Sequence, residues 1–341
     1  DYNIKSYEEQ VKELSESGMN WLLSPHITSD STGAPPAPPA RYDWERVNNA
    51  CRENDMYFMM HANSASEGVE NAKDLDRCIA YYVKDEPSSA QFPATAQTFS
   101  EYRSMDDSRF PFVNLFPNYA GTSNLGGTYE EYVRNFVKSV GSENLEYLYF
   151  DHYPFTQAEP VRSTYFSDLE VIRKVAYEND RMKTGGFTQM GGWNGMERPT
   201  PEMARWSVYF LLAYGMKSLS HFCWVAPKYV EPPQGEGMGD FVLTNDGKPT
   251  DLLEPMQKLN WQIRQMGPLL MSIAASHAYH TGEIPMGTEA LPQNFVLQPR
   301  DKDASFIVSL FTSKDDKKTY IMLFNKSLDE TVTAGFNLTE N

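Results

Sequence analysis

Short apolar runs alternate with helical stretches along most of this chain, and each apolar run ends at a polar or aromatic cluster. Six runs are clear and a seventh is weaker; they cover residues 21–26, 57–61, 79–87, 112–117, 147–154 and 221–227, with 183–189 as the weaker one. Alternating strands and helices at a spacing of roughly 30 residues predict a parallel sheet with crossover helices. Ligands of such folds bind at the carboxyl ends of the strands, where these clusters lie.

The helical stretches support a (β/α)8 barrel. They include residues 7–17, ended by Gly18, and residues 43–54, capped by Asp43, followed by 128–140, 200–216 and 251–273. The pattern gives seven strands, and the first element is a helix. We therefore expect the first barrel strand to lie upstream of this sequence, which leaves an open edge between residues 20–25 and 220–226.

From Ser276 the pattern changes to period-two strands without helices. Residues 306–311 and 320–324 flank the charged turn 314–318, which is a hairpin signal, and 331–336 is typical of another strand. The sequence thus predicts a barrel over residues 1–275. A small antiparallel, β-sandwich-like accessory domain is predicted over 276–341, and we expect it to be incomplete.

Composition narrows the possible partners. The net charge of -16 comes from 46 acidic and 30 basic residues, which disfavours a nucleic-acid partner and equally serves solubility. The cysteines Cys51, Cys78 and Cys223 form no metal or disulfide pattern. No apolar run is long enough for membrane insertion. Phosphate-binding glycine motifs and the serine elbow are missing, so no cofactor is expected.

Two carboxylates at strand ends are the strongest candidates for chemistry. Asp85-Glu86-Pro87 follows one apolar strand, and Asp151 follows another. Partial desolvation beside Tyr81 and Tyr82 would favour protonated Glu86, the form that a general acid needs. Asp151 is the candidate second carboxylate and is expected to stay ionised, stabilised by neighbouring donors. A cap or loop acid is the structural alternative for Asp85-Glu86.

Further side chains at strand ends are candidates for substrate binding. Trp193 and Trp224 could stack on a sugar ring, although aromatic residues also fill barrels. The histidines could line the pocket or serve as hydrogen-bonded scaffolding. The candidate substrate-binding set is His26, His61, Asp85, Asn114, Tyr153, Gln189, Trp193, Trp224 and Glu231. We expect His26, His61, Glu86, Asp151, Gln189 and Trp224 to share one rim.

These residues resemble those of the clan A glycoside hydrolases, retaining enzymes on a (β/α)8 barrel. Their acid/base glutamate lies in an Asn-Glu-Pro-like turn after the fourth strand, which maps onto Glu86. Residues 243–250 and 259–270 resemble the closing helix of bacterial enzymes similar to family forty-two β-galactosidases. The clan's nucleophile is a glutamate after the seventh strand, where this sequence has Gln189. Asp151 is the first substitute, followed by Glu231 and Glu236.

The resemblance implies a glycosidase that cleaves a glycan, with Glu86 as proton donor, Asp151 as its partner, and no metal. It also implies a secreted or periplasmic location. The adjacent Asp85-Glu86 pair is similar to that of substrate-assisted hexosaminidases, in which the acetamido group of the substrate attacks.

Two other functions stay open. One is a non-catalytic carbohydrate-binding barrel, and the other is a metal-dependent hydrolase using His26, His61 and Asp151, which lack the usual zinc spacing. The sequence leaves the sugar, its linkage and the oligomeric state open.

Overall fold

The structure is a computed structural model that describes residues 6–23, 43–226, 239–328 and 330–338. His26, Glu231 and Glu236 lie outside the described residues, so the structure says nothing of the roles expected for them.

Seven parallel strands form one sheet in the order of the sequence, as predicted. The strands are β1 (Trp21–Leu22), β2 (Tyr57–His61), β3 (Cys78–Asp85), β4 (Phe110–Leu115), β5 (Tyr147–Phe150), β6 (Lys183–Gln189) and β7 (Ser218–Phe222). Each strand pairs in parallel with the next. Because the strands are parallel and consecutive, their carboxyl ends lie along one rim of the sheet.

Nine α-helices lie within the described residues, and all but the first and the last connect consecutive strands of this sheet. They are α1 (Tyr7–Glu16), α2 (Trp44–Glu53), α3 (Ala65–Ala72), α4 (Phe92–Met105), α5 (Thr122–Leu125), α6 (Tyr129–Val140), α7 (Tyr165–Glu178), α8 (Pro201–Ala213) and α9 (Leu253–Ser272). Side-chain caps start several of them: Ser6 and Thr128 each form a capping box with a glutamate three residues on. No helix among the described residues has both the length and the apolar composition needed to span a bilayer.

The sheet curls, and its two edge strands β1 and β7 do not pair with each other. Outside this gap α1 and α9 pack together. The Trp261 indole donates to the Glu16 carbonyl at 3.0 Å, and the Asn260 amide donates to the Ser17 carbonyl at 3.0 Å. Gly18 allows this approach, because a Cβ there would lie 2.9 Å from the Asn260 Cβ.

A cavity of about 1180 Å³ occupies the interior of the curled sheet and the gap. Its walls include α1 and α9 as well as the two edge strands. It reaches from the amino ends of the strands, at Tyr57 and Phe110, to the carboxyl ends, at Glu86 and Asp151.

The chain after α9 forms a small separate β-structure. Its strands are β8 (Ile273–His280), β9 (Glu289–Ala290), β10 (Leu297–Pro299), β11 (Phe306–Ser313), β12 (Thr319–Asn325) and β13 (Phe336–Leu338). Four strands pair in the order β12-β11-β8-β9, and β10 pairs with β13. The β11–β12 hairpin is antiparallel as predicted, but β9 runs parallel to β8, because residues 281–288 bring the chain back before it pairs.

Buried polar contacts attach this small sheet to the helices behind the barrel. Arg173 of α7 forms an ion pair with Glu170 and donates to the backbone carbonyls of Ala275 and Ser276 in β8. Ser309 of β11 donates to the Ala213 carbonyl at 2.7 Å. The small sheet therefore lies on the outer helices.

Candidate active site

Glu86 occupies a strained backbone position immediately after β3. Its φ is +44°, a left-handed conformation that is uncommon for a residue with a side chain and costs about 1–3 kcal/mol. Its N–H donates to the Asn114 carbonyl of β4 at 2.8 Å, and the following Pro87 carbonyl accepts from the Tyr132 hydroxyl at 2.7 Å. These bonds hold the turn, and the half-buried side chain lines the cavity.

A register shift in β3 turns Asp85 toward the same cavity. The β3–β4 pairing slips between Tyr82 and Lys84, which breaks the strict alternation of the strand. Tyr82 and Asp85 both line the cavity, whereas Lys84 is exposed and does not line it. The left-handed residue that follows allows Glu86 to face the cavity too, so both adjacent acids reach the mouth.

Asp151 follows β5 directly and is only 7% exposed. Its carboxyl group lies near those of Glu86 and Asp85, which raise its pKa, and near the Tyr153 hydroxyl and the Asn114 amide, which lower it. Its Oδ1 atom is buried and has no hydrogen-bond partner among the described residues. Asp151 lines the cavity through its other atoms.

Burial and the charges of neighbouring acids raise the pKa of both carboxyl groups. Burial, followed by the charge of Asp85, raises the pKa of Glu86 to about 7. Burial, followed by the charges of Glu86 and Asp85, raises the pKa of Asp151 well above its usual range. This direction opposes the expectation that Asp151 stays ionised: the donors Tyr153 and Asn114 favour the carboxylate, but burial outweighs them.

Asn114 joins the three acids from the neighbouring strand β4. Its side-chain amide donates to Asp85 Oδ1 at 3.1 Å and also reaches Asp151, while its backbone carbonyl holds the N–H of Glu86. Its own Oδ1 is buried without a hydrogen-bond partner among the described residues. Asn114 therefore positions the acids from the neighbouring strand and also lines the cavity.

Aromatic side chains form the rest of the mouth. Those that line the cavity there are Tyr82, Tyr119, Tyr153, Trp193, Phe222 and Trp224. The Trp193 ring contacts Tyr153 edge-on at 4.9 Å and stacks on Phe241 at 6.1 Å. The buried Trp224 Nε1 has no acceptor among the described residues. Tyr153, Trp193 and Trp224 thus line the same cavity as the two carboxyl groups. Aromatic side chains in such a place suit contacts with a sugar.

Gln189, by contrast, is fully buried and does not line the cavity. Its side-chain nitrogen donates to the carbonyls of Phe155, Gly191 and Glu197, at 3.0, 3.3 and 2.6 Å. Its side-chain oxygen accepts from the Phe155 N–H at 3.0 Å. The amide thus clamps two rim loops together. Both of its polar atoms are hydrogen-bonded to the backbone, so neither is left for the substrate-binding role that the sequence predicts.

Three histidines near the rim have packing roles. His61 is half-buried, its ring centroid lies 4.1 Å from that of Tyr82, and it does not line the cavity. His152 pairs with the buried Asp168 at 2.8 Å, a contact within the scaffold. His221 hydrogen-bonds to Thr188 at 2.7 Å and Asn260 at 3.2 Å, and burial lowers its pKa to about 4.

Sequence reasoning missed Tyr82 and Tyr119 as wall residues of the mouth. A shift in strand register carries no sequence signal at Tyr82, and Tyr119 lies in a short helical turn beyond β4. No cluster of three or more metal-binding side chains occurs in the described part of the chain.

Comparison with sequence profiles of known families gives no match, and comparison with curated proteins gives none either. Solved structures do share the fold. A Faecalibacterium prausnitzii β-glucuronidase matches with a TM-score of 0.52 at 12% identity, over 75% of this chain and 45% of its own. A β-galactosidase from the psychrophilic Marinomonas ef1 matches with a TM-score of 0.54 at 10% identity, over 80% of this chain and 60% of its own.

An Eisenbergiella tayi GH2 β-galacturonidase bound to galacturonate matches with a TM-score of 0.51 at 9% identity, over 75% of this chain and 47% of its own. The chain therefore matches about half the length of these enzymes. At such identities the likeness shows the fold alone, a curled parallel sheet with crossover helices.

The Gln189 clamp generates a prediction about stability. Gln189→Glu replaces a donor that serves three carbonyls with a buried group that repels them. We expect it to lower the free energy of unfolding by about 2–4 kcal/mol, measured by urea denaturation. The exposed control Glu45→Gln should change it by less than about 0.5 kcal/mol. An unchanged midpoint for Gln189→Glu would show that the clamp does not hold the loops.

The raised pKa of Glu86 generates a prediction about pH. Folding raises this pKa from 4.5 to about 7, so the native state holds a proton that the unfolded state releases, and stability falls as pH rises through that window. Glu86→Gln removes this cost. After allowing for partial solvent exposure, we expect the variant to be more stable than the native protein by about 1–2 kcal/mol at pH 8.

At pH 4 the stabilities of native protein and Glu86→Gln should coincide, because both side chains are then neutral. Thermal unfolding across pH 4 to 8 measures the difference. A difference that is constant with pH would contradict the raised pKa.

Proposed function

We propose that the protein is a glycoside hydrolase in which Glu86 donates a proton to the glycosidic oxygen. The observation that carries this proposal is Glu86 itself: a half-buried carboxyl with a pKa of about 7, held by strained backbone at the carboxyl rim, beside aromatic side chains. A general acid works best when its pKa lies near the working pH, and aromatic walls suit sugar rings. The glycosidases that share the fold support the same reaction class.

Asp151 serves in this proposal as the partner that holds and returns the proton of Glu86. The carboxyl groups of retaining glycosidases are about 5–5.5 Å apart across the glycosidic bond. Asp151 acts on Glu86 as a hydrogen-bonding neighbour that lowers its pKa, which fits two carboxyl groups on one side of the bond. This arrangement supports a proton-holding role for Asp151 over the nucleophilic role that the sequence suggests.

A non-catalytic carbohydrate-binding barrel is the second candidate. The observation that favours it is the clamped Gln189 at the end of β6, where the resembling enzymes carry their nucleophile. Such a protein would bind glycans at the same aromatic mouth and release no reducing sugar.

Substitution of Glu86 separates these functions. With poor leaving groups, Glu86→Gln should lower turnover by roughly two to four orders of magnitude, the usual contribution of general acid catalysis. Activated aryl glycosides need little protonation and should lose less. The assay compares reducing-sugar release from glycans with release of the aryl alcohol, and Glu45→Gln serves as control. Unchanged glycan turnover would remove Glu86 from the mechanism, and binding without turnover in the native protein would favour the binding barrel.

We also propose that an eighth strand completes the barrel in the gap between β1 and β7. The cavity lies between these unpaired edges and is closed on the outside by α1 and α9. A strand of a closed barrel would occupy this position. A parallel strand there would connect through α1 to β1 by the same strand–helix–strand crossover as the other units.

A chain that carries natural residues upstream of Asp1 should then melt at a higher temperature and aggregate less, because a paired edge no longer recruits other strands. Differential scanning calorimetry and light scattering of the two forms measure this. Equal melting temperatures would contradict the eighth strand.

A further inference from the structure

We propose that Arg198 is a positioning residue of the mouth, which holds the Trp193 ring where it contacts a sugar beside Glu86. This inference rests on the glycosidase function proposed above and adds a residue that its substrate binding needs. Arg198 does not line the cavity, so it acts on a ligand only through Trp193. Three contacts carry the inference: Arg198 with residues 239–251, those residues with the Trp193 loop (residues 190–198), and Trp193 with the cavity.

Arg198 attaches the Trp193 loop to the neighbouring segment. Its Nε donates to the Asp240 carbonyl at 3.0 Å, and its Nη2 donates to the Phe241 carbonyl at 3.2 Å and to Asp251 Oδ1 at 2.6 Å. The Asp251 side chain is 60% exposed, so solvent screens this ion pair and the bonds to backbone carbonyls carry most of the attachment. Arg198 therefore fixes the backbone position of Phe241.

Phe241, fixed in this way, supports the Trp193 ring. Phe241 is fully buried, and its ring lies within 14° of parallel to that of Trp193, with the centroids 6.1 Å apart. The loop backbone packs directly against the Phe241 ring, because a Cβ at Gly191 would lie 2.4 Å from it. The Gly239 N–H also donates to the Gly192 carbonyl at 3.1 Å. A shift of the Phe241 backbone would therefore move the surface on which Trp193 rests.

Trp193 is placed to contact a ligand near the carboxyl groups. Its ring is half-buried and lines the cavity, as do Glu86 and Asp151. It also contacts the rings of Tyr153 at 4.9 Å and Phe222 at 5.2 Å, which line the cavity too. An aromatic ring offers a sugar apolar contact and takes no part in proton transfer. Displacement of Trp193 should therefore weaken binding and leave the chemical step largely unchanged.

Loss of the Arg198 side chain should displace the loop without unfolding the rim. Other attachments of the loop remain, because the Gln189 side chain donates to the Glu197 carbonyl at 2.6 Å and the Glu197 N–H donates to the Phe155 carbonyl at 3.1 Å. Arg198 itself lies near the surface, with a side chain that is 28% exposed. We therefore expect its replacement to change ligand affinity rather than the fold.

The test measures KM and kcat for Arg198→Met, Trp193→Ala and the double variant. The substrates are a panel of 4-nitrophenyl glycosides with both anomers of glucose, galactose, xylose and N-acetylglucosamine. We expect Trp193→Ala to raise KM about tenfold and Arg198→Met at least about threefold, with kcat little changed, because a binding contact is lost. Since Arg198 acts through Trp193, the double variant should have the same KM as Trp193→Ala alone.

Two further variants serve as controls. Arg198→Lys keeps one donor group within reach of the same acceptors and should recover part of the lost affinity. Arg134→Met removes an arginine that forms ion pairs with Glu130 and Glu178 on the outer helices, away from the cavity wall. It should leave KM unchanged.

Amide hydrogen exchange adds a readout that needs no substrate: residues 190–198 and 239–251 should exchange faster in Arg198→Met than in Arg134→Met. Unchanged exchange in both segments would overturn the inference. An unchanged KM in Arg198→Met, or losses that multiply in the double variant, would also overturn it and leave the proposed glycosidase standing. If the native protein neither bound nor cleaved any member of the panel, the proposed function and the inference would fall together.

Discussion

Burial of the Asp151 carboxyl against Glu86 is the interaction on which the rest of the site depends. A carboxyl that is almost excluded from water has a raised pKa, and the charges of Glu86 and Asp85 raise it further. The parallel sheet creates this situation, because β3, β4 and β5 end side by side and bring acids that are far apart in sequence to one rim. The chemistry of Glu86 is thus a consequence of the architecture, since an isolated glutamate would be ionised at neutral pH.

The site carries local costs that the scaffold must offset. Glu86 adopts a left-handed backbone conformation, Asp151 and Asn114 leave acceptors unpaired, and three acids repel one another. Such features cluster at functional sites and persist where the surroundings hold them firmly. Here the firm surroundings are backbone hydrogen bonds from the neighbouring strand, the Tyr132 hydroxyl behind the turn, and the Gln189 clamp between the rim loops.

Much of the fold follows from sequence pattern, because the alternation of apolar runs and amphipathic helices reports directly which faces are buried. That pattern predicts the seven parallel strands and places Glu86, Asp151 and Asn114 at their carboxyl ends. The side-chain directions were harder to predict. The register slip after Tyr82 and the positive φ at Glu86 are decided by pairing with β4, so strand alternation alone does not show that both acids face the cavity. The hydrogen bonds of Gln189 depend on loop residues such as Phe155 that are distant in sequence. The pKa of Asp151 depends on how deeply its carboxyl group is buried, which a local sequence pattern does not encode.

The central claim, that Glu86 and Asp151 form a desolvated pair which holds a proton near neutral pH, can be observed without any substrate. Infrared difference spectroscopy detects the C=O stretch of a protonated carboxyl, and titration of this band against pH follows the pair directly. The account predicts a carboxylic acid band that persists at pH 6, diminishes near pH 7, and changes in Glu86→Gln and in Asp151→Asn. If no protonated carboxyl band remained above pH 5, both groups would be ordinary solvated acids. That result would contradict the account.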